Sequence, residues 1–183
     1  MRRVNILAVD QARHGAWATF DYENKKLLDY GIWGYDSKNY TFEQAILHIE
    51  ALLNEVIRTH DVGAVFLEDI QLRQNVQSFK RLAQLQGVLV NLCEKTNILY
   101  NLVAPTQWQS FCKARGRTTK EIKSKITSVE PTSKKTSKIL SLQAAKEIYG
   151  IETENDNLAD ALMIGHYAIN NIKIGSEDNT NEE

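Results

Sequence analysis

The 183-residue sequence has only two cysteines, Cys93 and Cys112, and they form no metal-type pair. Two isolated thiols fit a reduced, cytoplasmic protein. No apolar stretch approaches the roughly 20 residues that a membrane helix needs, so no membrane partner is expected. Nothing resembles a signal peptide, because Met1-Arg2-Arg3 is followed only by the short run Val4 to Val9, broken by Asn5. Gly-rich phosphate loops are missing, which argues against a nucleotide-binding ATPase. No internal repeat is present. Apolar residues make up 43% and charged residues 25%, ordinary values for a globular protein. The length suits one domain, expected over 1–175, followed by a disordered acidic tail over 176–183.

Neither sign of charge dominates, and a net charge of −1 does not by itself suggest a nucleic-acid partner. The distribution does. Residues 152–183 carry eight acids against Lys173 alone, leaving 21 basic and 15 acidic groups for residues 1–151. Much of the excess lies in 113–138, with nine Lys/Arg against Glu121 and Glu130. A basic body with an acidic end fits a polyanion, and equally a solvated Lys-rich helix and loop.

Val4 to Val9 reads as a buried central strand ending at Asp10. Gln11 to Gly15 is a turn. Ala16–Tyr22 and Lys26–Gly34 form a hairpin around Glu23-Asn24-Lys25. Thr41 and Gln44 make a capping box that opens a helix through Ile57. A second buried strand, Val62 to Leu67, ends at Glu68. Asn75 to Lys95 is helical, and Gly87 in its middle suggests a close backbone approach. Ile98–Val103 is a further strand, and Pro105 opens a short helix through Phe111. Thr118 and Glu121 form a second capping box, with a helix to about Ser128. Residues 127–138, rich in Ser, Thr and Lys, are expected to be a mobile surface segment. Ser141–Tyr149 and Asp156–Ile172 are the closing helices. A hairpin beside parallel strands implies an α/β fold with a mixed sheet and helices on both faces.

Four carboxylates carry the chemical signal. Asp10 and Glu68 end two apolar strands, and neighbouring parallel strands bring such ends side by side. Asp156 and Asp160 are four apart, so they share a helix face. If that helix starts near the strand ends, four acids converge and need cations between them. Oxygen donors favour Mg²⁺ or Mn²⁺, which can bind a phosphodiester and activate water. Each acid also has an ordinary reading: Asp10 and Glu68 as caps on nearby helices, Asp156 as an N-cap, Asp160 as a partner of the helix dipole. Asp160 is harder to explain that way, because it directly precedes Ala161-Leu162-Met163-Ile164.

Four segments resemble the RuvC-type Holliday junction resolvases in order over about residues 4–168. They are Ile6–Asp10 with Gly15–Ala18; Val65–Gln71 with Asn75; Ala104–Trp108 followed by Thr118-Thr119-Lys120; and Asp156–Leu162. Glu68-Asp69-Ile70-Gln71 and Asp156-Asn157-x-Ala159-Asp160-Ala161 look most similar to resolvases of Gram-positive bacteriophages and prophages. The resemblance implies an RNase H-like five-stranded sheet, a homodimer, Mg²⁺ dependence with Mn²⁺ as a substitute, and paired nicks in four-way DNA junctions with 5′-phosphate and 3′-hydroxyl ends. It makes Asp10, Glu68, Asp156 and Asp160 metal ligands and places Lys120 near the scissile phosphate. It turns Arg73 and Asn75 toward the junction centre. By their charge, Arg73, Lys80 and Arg81 fit a phosphate track or an ordinary exposed helix face, and Arg115, Arg117, Lys123 and Lys125 fit phosphate contacts too.

The sequence departs from that pattern in three places. Gln11-Ala12 stands where cellular resolvases show Pro-Gly. Gln71 stands where they carry a wedging aromatic. The last two acids are spaced by four rather than three, with Asn157 at the three-back position. The second departure keeps a broader branched-DNA or flap nuclease open as an alternative. A non-catalytic junction-binding module is the alternative from another class, and the complete acid set argues against it.

Overall fold

The structure, a computed structural model, describes residues 4–72, 75–115 and 136–174. Five strands make one sheet: β1 (Asn5–Asp10), β2 (His14–Asp21), β3 (Lys26–Gly34), β4 (Val62–Glu68) and β5 (Leu99–Val103). Their order is β3-β2-β1-β4-β5. The β1–β2 and β2–β3 pairs are antiparallel, whereas β1–β4 and β4–β5 are parallel. This is the expected mixed sheet. The helices are α1 (Phe42–Thr59), α2 (Val76–Thr96), α3 (Pro105–Phe111), α4 (Thr136–Tyr149) and α5 (Asp156–Asn171).

β1 lies at the centre because its side chains are apolar in both directions. Ile6, Leu7, Ala8 and Val9 are all fully buried. Leu7 and Val9 face α1 and α2, together with Trp17, Val65 and Leu67. Ile6 and Ala8 face the opposite core, built with Trp108 of α3, Leu140 of α4 and Leu162 of α5. On that second face the sheet presents Ala8, Ala16, Ala18 and Ala64. Small side chains let α5 sit close to the strands. Gly165 continues this logic, since a Cβ there would run into the ring of Phe20. Close seating of α5 is what carries its acids to the strand ends.

Local signals account for the helix boundaries. Thr41 caps α1 by accepting from the Gln44 amide, and Gln44 accepts in return from the Thr41 N–H, completing the expected box. Asn75 caps α2 through the Ser78 amide. Asn155, and not Asp156, caps α5 by accepting from the Leu158 amide at 3.1 Å. Asp156 is thereby released from capping. α4 ends at Gly150, whose φ of +68° is a left-handed C-terminal position.

Four expectations need correction or fall outside the described residues. α4 begins at Thr136, five residues before the expected Ser141, so 136–138 belong to a helix. The composition reads as loop, but Ile139 and Leu140 are buried and hold that turn helical. At Gly87, an added Cβ would meet nothing within 4 Å, so the suspected close approach does not occur among the described residues. The expected helix from Thr118 and the acidic tail lie outside the described residues. Among the described residues no helix is long and apolar enough to cross a membrane.

Candidate active site

Asp10 and Glu68 come together for a simple reason. β1 and β4 are parallel neighbours with Val9 level with Leu67, so the next residues leave the sheet side by side. α5 crosses β1 and β2, and Asp160 lies one turn into it. The Asn157 side chain donates to the His14 carbonyl at 3.0 Å, tying the first turn of α5 to the start of β2. This gives a physical role to the residue found at the three-back position. Asp10, Glu68 and Asp160 line one cleft of about 630 Å³, with Arg115, Lys138 and Ser141 on its walls. A depression of about 750 Å³ between α3, α4 and α5 holds none of the four acids.

The charges in this cleft are strained. Burial, followed by repulsion from Asp160 and Glu68, holds the Asp10 carboxyl well above the usual carboxylate range, and the Lys138 ammonium partly offsets this. Burial, with repulsion from Glu68, pushes Asp160 up to about 7, against a Ser141 hydroxyl bond and the Lys138 charge. Glu68 is held differently: its Oε1 accepts from Trp108 Nε1 at 3.1 Å. Asp156 is not in the cleft lining and pairs with Lys138 through Oδ2. The four expected acids therefore divide into three that share the cleft and one held by a lysine at its edge.

Among the described residues no three of His, Cys, Asp and Glu are gathered as a ready-made metal cage. The set fits a hard divalent cation nonetheless. Its donors are all oxygens, and three mutually repelling carboxylates need positive charge. Asp160 Oδ1 is buried with no hydrogen-bond partner among the described residues, an orphan that a cation would satisfy. Asp156 Oδ2, by contrast, already has the Lys138 ammonium as its partner.

The other expected site residues scatter. Asn75 lines the cleft as well as capping α2. Arg115 lines it too. Lys80 is exposed on α2. Arg73, Arg117, Lys120, Lys123 and Lys125 lie outside the described residues. Arg13 braces the loop after β3, because its Nη1 donates to the carbonyls of Tyr35 and Tyr40, both at 3.1 Å. Arg81 stacks its guanidinium over Phe42 at 5.8 Å. His166 Nδ1 meets the Tyr149 hydroxyl at 2.8 Å, a packing role away from the acids.

The sequence did not single out Lys138, Ser141 or the Trp108 side chain as site residues. The i, i+3 spacing of Lys138 and Ser141 on α4 becomes a usable signal only if that helix begins early. Trp108 is indeed fully buried, and its N–H adds the bond to Glu68.

Residues 21–165 match the family model for crossover junction endodeoxyribonuclease RuvC. The chain belongs to the RuvC family of Holliday junction resolvases. The matched span holds Glu68, Asp156 and Asp160, with Asp10 just upstream. A relative from Sulfurovum sp. (strain NBC37-1), the crossover junction endodeoxyribonuclease RuvC, is 25% identical over 122 residues, covering 64% of this chain and 75% of the relative. Among solved structures, Thermus thermophilus RuvC in complex with a Holliday junction substrate aligns with a TM-score of 0.67 at 14% identity, covering 90% of this chain and 92% of that one. The fowlpox virus resolvase with its substrate Holliday junction DNA aligns at 0.55 and 13% identity, over 91% and 97% of the two chains. Both structures thus share the fold described above.

Proposed function

We propose that this chain cuts four-way DNA junctions by divalent-metal-dependent hydrolysis, leaving 5′-phosphate and 3′-hydroxyl nicks. The observation that carries the reading is the shared cleft of Asp10, Glu68 and Asp160 at the ends of β1 and β4, in a chain of the RuvC family. Mg²⁺, with Mn²⁺ as a substitute, would supply an activated water and neutralise the phosphodiester. Asp10, Glu68 and Asp160 would hold it, with Asp156 as the fourth acid. Asp10 and Asp160, both raised in pKa by burial and by neighbouring carboxylates, would bind the ion in their ionised forms. Lys138 leaves Asp156 for a phosphate oxygen, where its charge stabilises the developing negative charge. We assign a cationic role to Lys138, which stands on the cleft wall and whose charge bears on both buried aspartates; Lys120, which the resemblance places near the scissile phosphate, lies outside the described residues.

A four-way junction is two-fold symmetric and needs two cuts, whereas the described residues of each chain form one acid cluster. A homodimer with one cluster per chain matches that symmetry. The Glu-Asp-Ile-Gln and Asp-Asn-x-Ala-Asp-Ala motifs support a place in the Gram-positive phage and prophage branch, and action in the cytoplasm of a bacterial or infected cell. Arg115 and Asn75, both on the cleft, contact the DNA backbone, joined by Lys80 and by Arg73, Arg117 and Lys123.

One observation favours a second reading, a broader branched-DNA nuclease. Gln71 replaces the wedging aromatic, and its neighbour Leu72 is 66% exposed beside the cleft. A panel of end-labelled four-way junctions, forks and flaps with Mg²⁺ separates the two. A resolvase makes paired, symmetric cuts in the four-way junction. Preference for flaps or forks would establish the second reading.

A further inference from the structure

We propose that Trp108 is a positioning residue that fixes the Glu68 carboxylate for metal binding; this rests on the reading of Glu68 as a metal ligand. Glu68 ends a strand, where a long, unbranched side chain has several rotamers open to it. Trp108 removes that freedom. It is fully buried in α3, and its Nε1 donates to Glu68 Oε1 at 3.1 Å. An indole N–H can only donate, so in the core it must have an acceptor, and this one is aimed at a single carboxylate oxygen. The donor is also neutral. It orients the carboxylate without itself supplying the countercharge that a lysine would.

The frame around this bond is stiff. Glu68 is level with Val103 in the β4–β5 register, and the Asp69 amide donates to the Val103 carbonyl at 2.8 Å. Two residues later Pro105 opens α3, which carries Trp108. The donor and the acid therefore belong to one rigid corner. On its other side, Gln11 is buried at 4% exposure and its Nε2 donates to the Glu68 main-chain carbonyl at 2.9 Å and to Gln86 Oε1 of α2 at 2.7 Å. A proline at position 11, as in the Pro-Gly turn that the sequence replaces, has no side-chain donor for these bonds. Glu68 is thus held at its backbone from the β1 turn and at its carboxylate from α3. Packing alone would be met by any large aromatic ring at 108. The direction of the N–H would not.

The test replaces the donor and keeps the ring. Trp108→Phe is compared with wild type by the Mn²⁺-induced rise in melting temperature, by the Mg²⁺ concentration for half-maximal junction cleavage, and by junction binding in Ca²⁺. Outer partners of metal ligands typically contribute about 10–100-fold in metal affinity, so both metal midpoints should rise by about that factor with junction binding unchanged. In a Glu68→Gln background, Trp108→Phe should change the Mn²⁺ response no further. If Trp108→Phe does not fold, 3-benzothienylalanine at 108, which keeps the bicyclic shape and replaces N–H by sulfur, gives the same comparison. Wild-type metal midpoints in a folded, donor-free variant would overturn the proposal. A wild-type protein whose melting and cleavage ignore Mn²⁺ and Mg²⁺ would remove the metal reading of Glu68, and this inference with it.

Discussion

Lys138 pairs with Asp156, the residue that opens α5, and the same ammonium lowers the electrostatic strain on Asp10 and Asp160. One lysine from α4 thus serves carboxylates on β1 and α5. It is a built-in cation in a cluster whose chemistry calls for more positive charge.

Removing that charge should slow the chemistry more than it weakens binding. Lys138→Gln is expected to reduce single-turnover junction cleavage on the order of 10²–10³-fold, the usual loss when one preorganised charge-stabilising group is removed. Gel-shift affinity in Ca²⁺ should be largely kept, since one lysine is one contact among many. A wild-type cleavage rate would remove Lys138 from the reaction.

The raised carboxyls make stability depend on pH in a stated direction. A carboxyl with a pKa above its unfolded value binds more protons in the folded state, so its contribution is full at low pH and is lost as pH rises through the folded pKa. For Asp160 the window runs from about 4 up to about 7. In EDTA the melting temperature should therefore fall between pH 5 and pH 8, with this group opposing the usual gain from ionising carboxylates. Mg²⁺ competes with those protons, so its stabilising increment should grow over the same interval. An increment independent of pH would contradict the shifted carboxyls. Melting curves across pH, with EDTA and with Mg²⁺, measure both.

Asp160→Asn separates stability from function. The amide keeps the shape and removes a buried negative charge beside Asp10 and Glu68. The metal-free variant should melt higher than wild type while cleavage is lost, the trade expected of a strained site. A lower melting temperature would show that the charge is better compensated than its surroundings indicate.

Gly165 links the fold to the site. Gly165→Ala forces the new methyl against Phe20 in the seam between α5 and β2. Overpacking of this kind costs about 1–3 kcal/mol, read as a lower denaturation midpoint. Because α5 also carries Asp160, cleavage at a permissive temperature should fall as well. Unchanged stability would mean that the seam yields readily.

Much of this arrangement was legible in the sequence because it depends on local pattern. Ile6–Val9 and Val65–Leu67 announce buried strands, and the acids that follow them mark one end of the sheet. Thr41 and Asn75 sit where helix starts require them. What the sequence concealed depends on tertiary packing. Ser, Thr and Lys around 136–138 read as loop, and only the burial of Ile139 and Leu140 turns them helical and brings Lys138 to the site. Trp108 and Glu68 are 40 residues apart, and no periodicity reports where an indole N–H will point. Asp156 looked equivalent to Asp160 by spacing, but a lysine outside the terminal motif sets them apart.

The most direct test incubates wild type and Asp10→Asn with a synthetic four-way junction and Mg²⁺, scoring binding and cleavage on each strand. Wild type should leave paired nicks that ligase can seal, while Asp10→Asn should bind the junction and leave every strand intact. Mg²⁺-dependent cleavage by Asp10→Asn would contradict the assignment of the reaction to the carboxylate cleft.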